Sequence, residues 1–253
     1  MMHPVLFAAA LLAAVNVHAA EAFDADRPDE SESAEVVGDG YFQVETSVMS
    51  ERVRADDGRR VTRQSTPTLL RLGVAEDWEL RLETDGRLRE GGINGWADLS
   101  LGVKWHSQDG DEEAWRPSMA WLAHLDLTTG AAAFRAPGLR PSLRVVAEWE
   151  LPAGGSLSVM PGVFSARDEA GARYVGGILA VALGRAFTPR LKGFVEVAAG
   201  QLAGSRHGGD EWLLDGGLIY LLTPTVQIDV ALYKGLTASA ADSGWTAGLS
   251  VRY

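Results

Sequence analysis

The chain of 253 residues contains no cysteine. A disulfide framework, a thiolate metal site and a cysteine that could carry a lipid anchor are therefore excluded. Amphipathic helices are also missing, since no window after residue 20 shows the 3.6-residue apolar period of a helix. Basic residues are few, with 23 Lys and Arg against 34 Asp and Glu. The formal net charge of −11 argues against nucleic acid as a partner.

Residues 1–19 have the composition of a secretory signal peptide. An apolar stretch runs from Val5 to Val15, and small residues follow at Val17 and Ala19. A membrane anchor is the alternative, but the stretch is shorter than the roughly 20 residues that a membrane-spanning helix needs. We therefore expect cleavage after Ala19. Export without disulfides suits a Gram-negative envelope.

Residues 20–39 are acidic, rich in Ser, Asp and Glu, and show no apolar period. Such a composition predicts a disordered leader, which we expect in the periplasm. Residues 40–253 then show strand patterns with no helical interruption.

The last strand alternates strictly between apolar and polar positions and ends on an aromatic residue. This is typical of the C-terminal strand of an outer-membrane β-barrel, which we expect the barrel-insertion machinery to read as an assembly signal. The positions of that signal are Trp245, Leu249, Val251 and Tyr253.

The region contains about twelve alternating segments, each near the length of a tilted membrane strand. They span 40–50, 61–74, 78–88, 95–107, 116–128, 140–151, 155–166, 172–184, 190–202, 211–222, 225–234 and 244–253. Links after even-numbered segments are mostly short, which places them in the periplasm. The sequence predicts an all-β fold, a monomeric transmembrane antiparallel β-barrel of the outer membrane. Pro67 and Pro161 fall inside segments, so each predicts a bulge or a misplaced boundary.

Alternation sorts each segment into an apolar and a polar face, although it does not say which face is inside. A soluble β-sandwich or lipocalin-like binder would show the same alternation. The strand count, the aromatic terminus and the Trp residues near strand ends favour the membrane barrel. We then expect the lumen to be lined by Glu79, Arg81, Glu83, Asp98, Lys104, His124, Asp126, Arg144, Glu148, Tyr174, Lys192, Phe194, Glu196, Asp215, Asp229 and Tyr233.

No set of residues predicts enzymatic chemistry, a metal or a cofactor. His106 and His124 have lumen parity, but histidines in such positions are more often members of a polar network than a catalytic base. His124 and Asp126 share a face and still lack a third metal ligand. An outer-membrane lipid-modifying enzyme is therefore the least favoured function.

Four stretches resemble one family of outer-membrane proteins, named for a putative meta-pathway of phenol degradation. They are residues 67–82, 98–105, 125–130 and 189–197. Thr128-Thr129-Gly130 stands where a Pro-Thr-Gly corner is expected, a local departure from the family pattern. The resemblance implies an envelope transporter or channel, with a link to aromatic compounds in the family name.

We expect a channel through which small aromatic or cationic solutes pass passively, because acids outnumber bases in the predicted lumen. A non-conducting barrel with a structural or surface-interaction role is the alternative from another class. The expected partners are outer-membrane lipid, the insertion machinery, a small-molecule solute and lipopolysaccharide. Loop arginines would meet lipopolysaccharide phosphates. They are Arg54, Arg59, Arg60, Arg87, Arg89, Arg167 and Arg206.

Overall fold

The computed structural model describes residues 23–55, 58–168 and 170–253. The expected signal peptide lies outside this range. In the described residues, no helix has the length and apolar character needed to cross a membrane. Regular structure there consists of strands and two single-turn 3₁₀ segments, Pro152–Gly154 and Ser205–His207.

Fifteen strands follow one another along the described part of the chain. They are β1 (Phe42–Arg54), β2 (Arg60–Ser65), β3 (Thr68–Ala75), β4 (Trp78–Thr84), β5 (Arg87–Glu90), β6 (Ile93–Trp96), β7 (Leu99–Gln108), β8 (Ser118–Asp126), β9 (Arg140–Leu151), β10 (Gly155–Arg167), β11 (Arg173–Thr188), β12 (Leu191–Leu202), β13 (Trp212–Thr223), β14 (Val226–Gly235) and β15 (Ser243–Arg252).

The strands form one closed antiparallel sheet. The last strand, β15, pairs with β1 from Gln43↔Arg252 to Arg52↔Ser243. Three long strands are each interrupted once, so that β2 continues as β3, β4 as β5 and β6 as β7. The barrel wall therefore consists of twelve continuous or once-interrupted strands, which we call staves, as the sequence predicts. Closure between β15 and β1 removes the edges of the long strands, whose backbone groups can then pair without water, and among the described strands the short β6 pairs on one side, with β5.

The two prolines behave differently. Pro67 lies between β2 and β3, so it marks the interruption of that stave. Pro161 lies inside β10 and pairs with Leu179 of β11. The pairing of β10 with β9 lapses at Met160 and Pro161 and resumes in the same register. The expected bulge is therefore wrong at Pro161, because the missing N–H of proline costs a ladder bond without adding a residue to the strand.

Each strand presents an apolar side outward and a mostly polar side inward. On the outside, Leu101 is 51% exposed and Leu232 is 70% exposed. Trp78 and Trp105 stack near the end of the barrel that carries the two-residue links, with ring centroids 5.6 Å apart. This is the outward apolar band with aromatic rims that a membrane barrel requires. By the same loop-length rule, we refer to the end with the short links as the periplasmic end.

The acidic stretch before β1 is not a disordered periplasmic leader in its described part. Residues 23–40, called the inner segment below, lie inside the barrel, where Asp26, Ala34 and Val37 are buried. The prediction failed because it judged the segment by its own composition. An acidic segment that cannot bury apolar surface is still ordered if an enclosed wall offers it opposite charges.

Gly73 in the wall makes room for residues 38–40 of the inner segment, which we call its neck. The backbone N–H of Gly40 donates to the carbonyl of Gly73 at 3.1 Å. A Cβ at Gly73 would lie 1.6 Å from the carbonyl oxygen of Gly38, which is an impossible contact. The neck and β3 are therefore in direct backbone contact.

We expect the substitution Gly73→Ala to destabilise the folded barrel by about 1–3 kcal/mol, because the neck must move away from β3. The measurement is urea unfolding in detergent micelles, followed by heat-modifiable gel mobility. Gly204→Ala is the control, since no atom lies within 4 Å of the added carbon. Equal unfolding midpoints for the two variants would contradict the close contact.

Candidate functional site

The inner segment enters the lumen at the periplasmic end and turns back toward it. At the neck, Gly38 and Gly40 have positive φ angles of 84° and 77°, a conformation that glycine adopts without strain. At the other end of the segment, the Phe23 ring lies 5.7 Å from the guanidinium of Arg252, the last residue of β15. Both ends thus lie at the periplasmic rim, and residues 27–31 form the tip inside the barrel.

One side of the inner segment is bound by buried cations of β3, β4 and β7. The carboxylate of Asp26 lies 2.6 Å from Arg81, 3.0 Å from Lys104 and 3.4 Å from Arg71. We call these four residues the ionic cluster. Burial acts to raise the pKa of Asp26, but the charges of Arg71, Lys104 and Arg81 outweigh it and hold that pKa well below its usual range.

Wall carboxylates complete the charge balance around the ionic cluster. Glu79 accepts from Arg71 at 2.9 Å and from Arg81 at 2.7 Å, and it also accepts the backbone N–H of Val37 at 3.0 Å. Glu45 accepts from Arg71 at 3.0 Å. Every cation of the cluster therefore meets at least one carboxylate.

The next turn of the inner segment continues along the wall toward β9. Glu32 lies 2.6 Å from both Arg81 and Arg144. Lys104 donates to the carbonyl of Ser33 at 3.0 Å, and His106 lies 2.9 Å from the carbonyl of Ala34. Charged and backbone groups of the segment are thus matched residue by residue to the wall.

A small apolar patch on the lumen side of β8 to β12 receives Ala34. It consists of Ala120, Leu122, Val146, Met160, Ala180 and Ala198, all essentially inaccessible to solvent. The predicted lumen was wholly polar apart from a few aromatic rings, so this patch is a departure from it. The three alanines of the patch leave space that the segment occupies.

The tip of the inner segment contacts the opposite wall. Glu196 of β12 accepts the backbone N–H groups of Glu30 at 2.7 Å and Ser31 at 2.8 Å. The hydroxyls of Ser31 and Ser158 are 2.6 Å apart. Arg27 donates to Asp229 at 3.2 Å and to Thr246 at 2.8 Å. The tip therefore bridges the lumen from the basic wall to the acidic one.

Cavities lie on both sides of the tip. Toward the periplasm, cavities of about 500 and 630 Å³ both border Asp24, Glu148 and Lys192. Toward the extracellular loops, a cavity of about 660 Å³ borders Glu30, Asp215 and Tyr233. We call them the periplasmic and extracellular cavities. The tip residues stand between them.

Acidic groups prevail around the tip. Burial, together with the neighbouring carboxylates of Asp215, Glu148 and Asp24, raises the pKa of Asp29 well above its usual value. In contrast to Asp26, Asp29 forms no ion pair with a cation of the described residues. The electrostatic character of the lumen thus changes from one wall to the other.

Most residues predicted to line the lumen lie on its inner face, and thirteen of the sixteen contact the inner segment or border a cavity beside it. The residues that bind the segment are Glu79, Arg81, Lys104, Arg144, Glu148, Glu196 and Asp229. The residues that border cavities without such a bond are Glu83, Tyr174, Lys192, Phe194, Asp215 and Tyr233.

Three predicted residues serve the wall and its loops instead. Asp98 accepts the backbone N–H groups of Gly130 and Ala136 and so holds the loop between β8 and β9. Asp126 lies 3.7 Å from Arg140, and His124 lies 3.5 Å from Glu83. Whether any of the predicted residues lines a solute path stays a prediction.

Sequence reasoning missed Arg71, which is the most connected cation of the site. The sequence carried a signal for it. In a membrane strand, a charged residue between two leucines lies on the face opposite to them and must point inward. The partners from the inner segment, Asp26 and Glu32, carried no such signal because no strand pattern includes them. In the described part of the chain, no group of three or more His, Asp or Glu side chains is placed to hold a metal ion.

Similar architecture is found in solved porin-like barrels. An outer membrane channel from Pseudomonas putida F1 matches with a TM-score of 0.64 at 13% identity, over 90% of this chain and 99% of that one. The NanC porin matches with a TM-score of 0.57 at 10% identity, over 83% and 98%. The KdgM porin matches with 0.53 at 13% identity, again over 83% and 98%. At such identities the likeness shows a shared fold.

The chain is thus a transmembrane β-barrel with an ordered segment inside its lumen. Its residues 25–253 match the model of the family described as "Putative MetA-pathway of phenol degradation", and the chain belongs to that family. The match confirms the resemblance read from the sequence, and it includes most of the inner segment. Comparison with curated proteins gives no match.

We expect Asp26→Asn to destabilise docking of the inner segment at pH 7 by about 3 kcal/mol, because it removes the anionic partner of buried cations. A carboxylate with a lowered pKa contributes stability above its unfolded pKa of about 3.9 and loses it as the pH falls through the folded value. The difference in docking free energy between wild type and Asp26→Asn should therefore be largest at pH 7 and should decrease well below pH 4.

The measurement is the urea midpoint at both pH values, with limited proteolysis of the segment as a second readout. Asp39→Asn is the control, since this residue of the same segment is exposed. Identical midpoints for wild type and Asp26→Asn at pH 7 would refute the role of the ionic cluster.

Proposed function

We propose that this protein is a channel in the outer membrane of a Gram-negative bacterium, through which small solutes pass passively. The observation that carries the proposal is the pair of cavities on either side of the tip of the inner segment. The porin and channel barrels of similar fold support it. In this proposal, the inner segment narrows the lumen and its tip shifts when a solute passes.

The charge distribution favours cations along the path. The buried cations of the wall are neutralised by contacts with Asp26, Glu32 and Glu79. Along the cavities, the acids Glu148 and Glu150 face the periplasmic side. The passage should therefore concentrate cations and exclude anions.

A non-conducting barrel is the second candidate, and a specific observation favours it. The inner segment is bound to the wall by buried ion pairs and hydrogen bonds on both sides of the lumen. If the tip never moves, the cavities stay separate and the barrel serves a structural or surface role.

Two partners belong to the same proposal. We infer that the insertion machinery reads the last strand, in which Trp245, Leu249 and Tyr253 are exposed on the outer face. We also infer that arginines at the extracellular end, such as Arg59 and Arg206, contact lipopolysaccharide phosphates.

A cross-link between the tip and the wall distinguishes the two candidates. The variant Ser31→Cys/Ser158→Cys replaces two hydroxyls 2.6 Å apart in a chain that has no other cysteine. We expect oxidation to lower single-channel conductance in a planar bilayer at least tenfold and reductant to restore it, because the disulfide holds the tip in place. Ser31→Cys alone is the control. No conductance in the reduced, folded protein would favour the non-conducting barrel, and unchanged conductance after oxidation would show that passage does not need the tip to move.

We expect a cation preference in the reversal potential under a salt gradient. Glu148→Gln/Glu150→Gln should reduce that preference, more clearly at low salt, because screening over about 10 Å at 0.1 M weakens the field. Glu113→Gln, in an exposed periplasmic loop, is the control of matched charge. Anion preference in the wild type would overturn the assignment of the path.

A further inference from the structure

One buried carboxylate in the lumen has only another carboxylate beside it. Asp215 on β13 is only 9% exposed, and among the described residues no N–H group, hydroxyl or cation reaches its side-chain oxygens, whose one near polar neighbour is the carboxyl group of Glu196. Glu196, directly across on β12, has both oxygens occupied by backbone N–H groups of the inner segment. Asp215 is thus the acceptor left open beside the tip. A buried carboxylate without a donor is unfavourable, so the position suits a ligand that brings one.

The open carboxylate belongs to a row of side chains that borders the extracellular cavity. Tyr233 pairs with Asp215 from the other side, on β14. Next along the row, Gly244 of β15 pairs with Tyr233, and Glu51 of β1 pairs with Gly244. All but the glycine face the cavity of about 660 Å³. The row therefore places an aromatic ring between two carboxylates.

The hydroxyl end of the Tyr233 ring lies close to the backbone of β15. A Cβ at Gly244 would lie 2.2 Å from the Cζ and the hydroxyl oxygen of Tyr233, so only glycine leaves room for the ring there. Tyr233 also borders the extracellular cavity, so its ring contacts both the β15 backbone and the cavity. An aromatic face beside a carboxylate is a favourable place for an organic cation.

Further groups around the cavity strengthen the negative field. Glu30 of the tip and Glu211 of the loop before β13 both border it. Two cations border it as well: the guanidinium of Arg63 is bound to Glu90 at 2.6 Å, and Arg54 is exposed to solvent. Apolar contacts come from Met49 and Leu213. The cavity thus offers negative charge, an aromatic face and apolar surface together.

We propose that the extracellular cavity binds an organic ammonium ion with a small apolar or aromatic body, whose N–H groups donate to Asp215 while its body packs on Tyr233. This deepens the proposed function and rests on it for the statement that the bound cation is a transported solute. Neutral alcohols lack the charge, and carboxylates are repelled. The cavity is a binding step on the extracellular side of the tip.

The test measures binding of benzylammonium, benzyl alcohol and benzoate to the folded protein in detergent micelles by calorimetry. We expect benzylammonium to bind at least tenfold more tightly than benzyl alcohol and benzoate not to bind. Asp215→Asn and Tyr233→Leu should each weaken benzylammonium at least fivefold. Glu113→Gln should change it less than twofold. Heat-modifiable gel mobility verifies that each variant is folded.

Equal benzylammonium affinity in wild type and in both variants overturns the proposal, and it is the result expected if Asp215 only shares a proton with Glu196. Planar-bilayer recordings separate this failure from that of the proposed function. Conductance that shows neither ammonium selectivity nor block by ammonium would support the proposed channel and refute the binding site. Ammonium binding to a protein that never conducts would support the binding site and refute transport.

Discussion

The arrangement of the lumen depends on the contact of one carboxylate with three buried cations. Arg71, Arg81 and Lys104 point inward from neighbouring staves, and without counter-charges such a group would be too costly to enclose. Asp26 supplies the missing charge from outside the sheet. The wall therefore needs the inner segment as much as the segment needs the wall, and the two are best regarded as one folded unit.

That contact also determines which part of the lumen remains charged. Because Asp26 and Glu32 neutralise the basic side, the carboxylates on the opposite side keep their field. The sequence shows a simple excess of acids spread over the strands. In the structure, these charges are divided between two sides of the lumen. One side is neutralised by ion pairs, and the other borders the cavities. The proposed selectivity then follows from the pairing of charges rather than from their total number.

The fold was largely predictable because every strand of a membrane barrel alternates between apolar and polar residues, and this alternation fixes its register. Alternation and turn spacing were sufficient to place twelve staves, and Leu101 and Leu232 point outward as their parity requires. The site was less predictable, because it joins strand residues to a segment that has no period. The sequence does not state that Asp26 lies beside Arg81, since 55 positions separate them. Only closure of the barrel brings them together.

Docking of the inner segment combines two kinds of contact with different dependence on solution conditions. The ionic cluster is buried, so salt screens it weakly, and the low pKa of Asp26 keeps it ionised in mild acid. Ala34 meets an apolar patch that salt strengthens rather than weakens. The tip is different, because it is held beside the cavities by two hydrogen bonds to Glu196, one to Ser158 and one ion pair between Arg27 and Asp229. The segment is thus anchored near its base and more weakly held at residues 27–31, which is the arrangement expected of an element that lets solutes pass without leaving the barrel.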